Sequence, residues 1–124
     1  MDVAAIIISL NSKHFLKDCL ESLRTTQWEG YSYEVIVVDN GSTDGTVEFL
    51  RQEHPEVRLV ANTSNVGYCK AGNQGAAISN ARYFFFLNDD ILFCDYSIPR
   101  LVQFMDENPR AGMIGSRLLN ADGT

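Results

Sequence analysis

The chain is 124 residues long, 45% hydrophobic and 21% charged, with a net charge of −6. That is one domain's worth of sequence with enough apolar residues to bury a core. The acidic balance counts against a nucleic acid polymer as partner, because such binding needs a basic footprint. The three cysteines, Cys19, Cys69 and Cys94, form no CxxC pair. A zinc site or disulfide framework is therefore not expected, and free, mostly buried thiols in a reducing compartment are. Met1-Asp2 lacks the basic n-region of a signal peptide and no apolar run approaches a membrane span, so a cytoplasmic location is expected.

In chain order, VAAIIIS at Val3–Ser9 reads as a central strand. Leu16, Cys19, Leu20 and Leu23 then fall at helical spacing behind Ser12, a favoured N-cap. The loop between them has no GxGxxG, and no GxxxxGK[ST] occurs anywhere, which disfavours a dinucleotide-binding Rossmann unit and a P-loop hydrolase. YEVIVV at residues 33–38 is a second strand, ending in DNGSTDGT, a run of turn and cap residues. A helix is expected at about residues 46–53, with Val47 and Leu50 buried and His54-Pro55 stopping it. A third strand follows at residues 56–61. The next helix, residues 68–81, is small-sided, with Ala71, Gly72, Gly75, Ala76 and Ala77. Its two glycines cost about 1 kcal/mol each relative to alanine, so either the helix packs tightly on the sheet or a ligand approaches its backbone.

The run YFFFL at residues 83–87 reads as a strand buried on both faces, and it ends in Asn88-Asp89-Asp90. Adjacent carboxylates beside an apolar strand repel each other unless a cation such as Mg2+ or Mn2+ shares them. The same residues also fit a plain polar turn. A last helix is expected at residues 97–107, capped by Ser97, and a last strand at residues 112–119, followed by a turn at residues 120–123. Strands alternating with helices imply an α/β protein, a mostly parallel sheet with helices on both faces. Right-handed crossovers then bring the polar strand ends at residues 9–11, 39–42 and 88–90 to one sheet edge. This edge is rich in carboxylates, amides and hydroxyls, so a phosphate-bearing ligand there would need a metal to balance charge.

Four segments together resemble the family 2 nucleotide-sugar glycosyltransferases with the GT-A fold: VVDNGSTDGT (37–46), NVGYCKAGNQGA (65–76), FFFLNDDI (84–91) and GMIGSRLLNADGT (112–124). The second and fourth are most similar to the bacterial branch of rhamnosyltransferases and cell-surface polysaccharide enzymes. The resemblance implies a nucleotide pocket lined by Ser9 and Asn11, with Asp39 bonding the base and Ser42 in the same motif. Asn65, Gly67 and Asn73 would edge the base and ribose, and Lys70 could reach the diphosphate. Asn88-Asp89-Asp90 stands at the family's DxD position. Asp90 would bind Mn2+ or Mg2+, and Asn88 or Asp89 would touch the ribose or a metal-bound water. Asp44 is expected to cap the following helix rather than touch ligand.

The implied chemistry is inverting transfer of a sugar from a UDP- or dTDP-linked donor to an acceptor hydroxyl on a glycan or lipid-linked carrier. The protein would be cytoplasmic or peripheral to the inner face of the membrane. The family's general base follows the fourth motif, and Asp106, Glu107 and Asp122 are not nominated for it. Residues 1–124 are thus expected to be the donor-binding, Rossmann-like half of a truncated GT-A domain, without the acceptor half. An exposed sheet edge near residues 112–119 would be open to pairing with a second copy. A non-catalytic nucleotide-sugar-binding domain is the main alternative. A nucleotidyltransferase is less favoured, because LNSKHF at residues 10–15 is not a glycine-rich basic loop.

Overall fold

The computed structural model describes residues 1–120 and 122–124. Strands and helices alternate: β1 (Val3–Ser9), α1 (Lys13–Thr25), β2 (Tyr33–Asp39), α2 (Thr46–Glu53), β3 (Arg58–Ala61), α3 (Tyr68–Ala77), β4 (Tyr83–Asn88) and α4 (Ser97–Glu107). The strands form one parallel sheet of order β3-β2-β1-β4. The chain steps outward from β1 to β3, then returns to place β4 on the far side of β1. Right-handed crossovers put the helices of the outward steps on one face and the helix of the return step on the other.

The packing follows that rule. Leu16, Cys19, Leu20 and Leu23 of α1 and Phe49 and Leu50 of α2 share a core with Val3, Ala5, Ile7, Val37 and Leu87. Ile98 and Val102 of α4 join the same core. On the opposite face, Ala71 of α3 packs with Ala4, Ile6, Ile8, Ile36 and Val38. Alternate residues of β1 therefore feed two cores, and every residue of this strand is buried. Burying each such isoleucine contributes about 1.5–3 kcal/mol.

Several boundaries and environments differ from the sequence reading. The strand buried on both faces is β1. β4 is an edge strand, with Phe84 and Phe86 exposed on its α3 side while Phe85 and Leu87 face the core. Residues 112–119 form no strand, so the free sheet edges belong to β3 and β4. Of the apolar residues of that segment, Met113, Leu118 and Leu119 are exposed and Ile114 is half-buried. In the expected turn at 120–123, the Gly123 N–H donates to the Asn120 carbonyl, and Ala121 lies outside the described residues. α3 ends at Ala77, β3 begins at Arg58, and α2 buries Phe49 with Leu50 rather than Val47. Tyr96 rather than Ser97 is the N-cap of α4, and the Ser97 hydroxyl donates to the Cys94 carbonyl. Of the cysteines only Cys19 is buried; Cys69 and Cys94 are exposed.

Far from the polar strand ends, Asp2 ties the N-terminal edge of the sheet together. Its carboxylate accepts from the Ser32 amide and hydroxyl and from Arg82, which also pairs with Asp106 of α4. The Ser32 bonds, then Arg82, hold the Asp2 carboxyl down at about 2. A depressed carboxylate stabilises the fold above its unfolded pKa, and this is lost as pH falls through the folded value. Between about pH 4 and pH 2 the protein should therefore lose stability that Asp2→Asn has already lost. Acid melts followed by circular dichroism should show the two proteins converging as pH falls across that window. A constant gap down to pH 2 would contradict this assignment.

Candidate functional site

In open α/β sheets ligands bind beyond the C-terminal strand ends, where the strand order reverses. Here that point lies between β1 and β4. The register sets Ser9 level with Asp39 and Ile8 level with Asn88, so the three polar strand ends converge as the alternation of strands and helices predicted. A cleft of about 330 Å³ opens there. Ile8, Ser9, Leu10 and Ser12 come from β1 and its loop, and Asn40 from the end of β2. Asn65, Gly67 and Tyr68 come from the entry to α3, and Asp89 from the turn after β4.

Beneath the cleft, Asp39 is fully buried and Ser9 is 1% exposed. The Asp39 Oδ2 accepts the Gly41 and Ser42 amides at 3.1 and 2.9 Å. Among the described residues its Oδ1 has no partner, and neither does the Ser9 Oγ. A buried polar atom left unpaired costs about 1–3 kcal/mol, so two at the base of one cleft mark a place built to be completed by a ligand. The turn that presents the two amides requires a glycine. Gly41 has φ +88°, and a Cβ there would stand 3.0 Å from the Ser64 backbone.

The loops after β1 and β2 are latched to each other. The Asn11 amide donates to the Ser42 hydroxyl at 2.9 Å, and the Asn11 Oδ1 accepts the Thr43 amide at 2.8 Å. Asp44 joins two helices: its carboxylate accepts the Lys13 amide at the start of α1 and the Thr46 amide and hydroxyl at the start of α2. Burial raises its pKa, but these hydrogen bonds outweigh that and leave it lowered. Gly45 rather than Asp44 is the N-cap of α2, but the Asp44 carboxylate accepts the first amide of that helix and also the first amide of α1, where Ser12 is the N-cap without a side-chain bond. The Ser12 hydroxyl is turned instead to Asp89, across the gap between β1 and β4. On the far wall, Asn62 and Gln74 exchange side-chain hydrogen bonds at 2.9 and 3.0 Å and Asn62 also donates to Asn40, which holds the loop before α3.

The structure therefore brings Ser9, Asn65, Gly67 and Asp89 to the cleft lining, with Asp39 below it. Asn88 and Asp90 flank Asp89 and are exposed. Asn11 and Ser42 bind each other's loops rather than lining the cleft. Asn73 and Lys70 are exposed on α3 and do not line it. Leu10 and Asn40 of the lining lie in the strand ends expected at this edge without being singled out, whereas Ser12 and Tyr68 lie outside the expected stretches. Ser12 and Asn40 stand within three residues of predicted strand ends, and that nearness was the available signal.

Among the described residues no group of three or more His, Cys, Asp or Glu converges on one point. A magnesium- or manganese-type ion needs fewer, since it is commonly held by one or two carboxylates plus substrate phosphates. Asp89, a hard oxygen donor lining the cleft and bonded by the Ser12 hydroxyl, and its exposed chain neighbour Asp90 fit that requirement. The negative charge reaches inward. Burial, then the charge of Asp89, pushes the Cys19 thiol up to about 12, so Cys19 is a core residue rather than a nucleophile.

Three comparisons bear on this arrangement. An N-acetylglucosaminyl-diphospho-decaprenol L-rhamnosyltransferase of Mycobacterium tuberculosis is 33% identical over 101 residues, which is 73% of this chain and 33% of that protein. The structure of S. aureus TarS 1-349 in complex with UDP-GlcNAc superposes with a TM-score of 0.77 at 22% identity, over 88% of this chain and 32% of that one. The mannosyltransferase PcManGT of Pyrobaculum calidifontis, solved with GDP-Man and Mn2+, has a TM-score of 0.74 at 24% identity, over 83% of this chain and 32% of that one. The chain thus spans about a third of the length of the relatives it matches. Both structural likenesses give the fold, which is GT-A. Residues 4–124 match Glycosyl transferase family 2, and the chain belongs to that family.

Proposed function

We propose that these residues form the donor-binding part of a metal-dependent glycosyltransferase. It moves a sugar from a nucleoside diphosphate to an acceptor hydroxyl, with inversion, in cell-surface polysaccharide synthesis. The observation that carries this reading is the pair of orphaned buried oxygens, Asp39 Oδ1 and Ser9 Oγ, under a cleft lined by Asp89, with Asp90 next to it in the chain. Asp39 Oδ1 accepts the ring N–H of the base. Asn65 and the Gly67 backbone edge the ribose, and Asn88 and Asp89 meet the ribose or the metal's water shell. Asp90 is the metal ligand. UDP-GlcNAc in TarS and GDP-Man with Mn2+ in PcManGT support a nucleotide-sugar donor and a divalent ion. The name of the mycobacterial relative supports a lipid-linked acceptor.

When bound, Mn2+ or Mg2+ supplies Lewis-acid stabilisation of the departing diphosphate. The acceptor oxygen bonds to the anomeric carbon as the bond to the diphosphate oxygen breaks, and a general base takes the acceptor proton. No described residue is assigned as that base. Asp106 is engaged by Arg82 and Tyr83 at the opposite edge of the sheet, Glu107 by Gln103, and Asp122 by Thr124. UDP, dTDP and GDP titrated calorimetrically with and without Mn2+ test the reading. At least one nucleotide should bind in a manganese-dependent way. Asp90→Ala should lower that affinity at least tenfold, the scale of losing a charged ligand interaction of about 1.5–3 kcal/mol. Binding unchanged in Asp90→Ala would remove Asp90 from the metal site, and no binding by the folded chain would contradict the donor-site reading.

A further inference from the structure

The sheet has two free edges, and they are not alike. β3 is four residues long and carries Arg58, which pairs with Glu34 of β2. A short strand bearing a charge is a guarded edge. β4 is six residues long, YFFFLN, with no charge, proline or glycine. The Tyr83 amide donates to the Asp2 carbonyl at 2.9 Å. Peptide groups alternate in direction along a strand. Those of Phe84 and Phe86 therefore point away from β1, to a side on which no described strand lies. The same two residues carry exposed rings, 43% and 45% open, on one face of the strand with centroids 6.4 Å apart. α3 leaves them uncovered because it packs over β1 and β2.

We propose that β4 is the docking strand for a second copy of this chain. The two β4 strands pair antiparallel about a two-fold axis and join two four-stranded sheets into one continuous sheet. An axis through Phe85 sets Phe84 opposite Phe86 of the second copy, and Phe86 opposite Phe84 of the second copy. Both are outward-facing positions, so each pair exchanges two N–H···O bonds. The rings lie on one face and form two cross-strand aromatic pairs, the unit that stabilises a sheet. This is the self-complementarity that a two-fold contact requires. The charges agree with the direction. Arg82, half exposed, precedes β4, and Asp89 and Asp90 follow it. Antiparallel pairing brings the basic end of each strand to the acidic end of the other, whereas parallel pairing would set like ends together.

The test is sedimentation equilibrium of the 124-residue chain from about 10 μM to 1 mM, the range of a weak interface. Hydrogen exchange is followed at the same concentrations. Wild type should pass from monomer to dimer, and the Phe84 and Phe86 amides should gain protection as it does. Phe84→Lys and Phe86→Glu, each removing both aromatic pairs, should each raise the dissociation constant about tenfold or more. The double variant Phe84→Lys/Phe86→Glu sets lysine opposite glutamate twice in this register, so it should dimerise more tightly than either single variant. Circular dichroism checks that each variant is folded. A monomer throughout the range would overturn the proposal and leave the edge to some other polypeptide segment. A dimer whose Phe84 and Phe86 amides stay unprotected, as one formed through Met113 and Leu118 would be, would overturn it too. So would a double variant no tighter than the single ones.

Discussion

Asp39→Asn is expected to abolish most nucleotide affinity while leaving the fold in place. An asparagine carbonyl can keep the bonds from the Gly41 and Ser42 amides that Oδ2 accepts. Its NH2 then stands where Oδ1 now has no partner. A ring N–H arriving there would meet a donor instead of an anionic acceptor. Hydrogen bonds to charged groups contribute about 1.5–3 kcal/mol, and two opposed donors add a penalty, so UDP affinity should fall on the order of 100-fold. Asp39→Ala differs in kind: it also strands two amide N–H groups under the cleft and should lower stability. Paired titrations and thermal melts separate the two effects. Asp39→Asn binding UDP within about twofold of wild type would show that Oδ1 does not face the ligand.

The second large effect is structural. Gly75→Val should destabilise the protein by about 3 kcal/mol, the upper end of ordinary overpacking costs. A Cβ at Gly75 would lie 2.6 Å from the Ile6 Cγ2 and 3.3 Å from the Val38 Cγ2, both on fully buried residues of the central strands. Neither methyl can withdraw without moving β1 or β2. At Gly72 the nearest neighbour is the Phe86 ring at 3.3 Å, on an exposed edge-strand side chain free to shift. Gly72→Ala should therefore be neutral or gain up to about 1 kcal/mol of helix propensity. Melting temperatures should separate the two variants by roughly 10 °C or more. Equal melting of both would mean that α3 does not pack on β1 at Gly75. The glycines of α3 thus resolve to different roles: Gly75 is tight packing, and neither of the two lines the cleft.

Much of this was legible in the sequence because local pattern and global topology agree. The α1 positions Leu16, Cys19, Leu20 and Leu23 are the ones buried. The alternation of strand and helix sufficed to bring residues 9, 39 and 88 to one edge. What was misread depended on neighbours distant in sequence. YFFFL reads as an inner strand because an aromatic run looks alike wherever it sits, but the return crossover puts it at the edge. The apolar run at residues 112–119 looked like a strand for the same reason, and no strand stands beside it to pair with. Ser12 is the N-cap of α1, as its position predicts, but Asp44, far along the chain, accepts the Lys13 amide and the Ser12 hydroxyl turns to Asp89. Asn11 was placed in the pocket by motif, while the structure commits it to the Ser42–Thr43 loop. Tyr68 carries no signal of its own in the sequence, because a tyrosine opening a helix is ordinary, although it lines the cleft.

Whether a nucleotide and its metal meet the protein in the cleft between β1 and β4 is tested most directly by amide NMR. Spectra of the 124-residue chain would be recorded with UDP and Mg2+, then with Mn2+ replacing Mg2+. Nucleotide addition should shift the amides of Ser9, Asp39, Gly41 and Tyr68, and Mn2+ should broaden Ser12 and residues 88–90 first. Shifts gathered instead around the hollow of Lys13, His14 and Lys17 on the outer side of α1, or broadening scattered over surface carboxylates, would contradict the account.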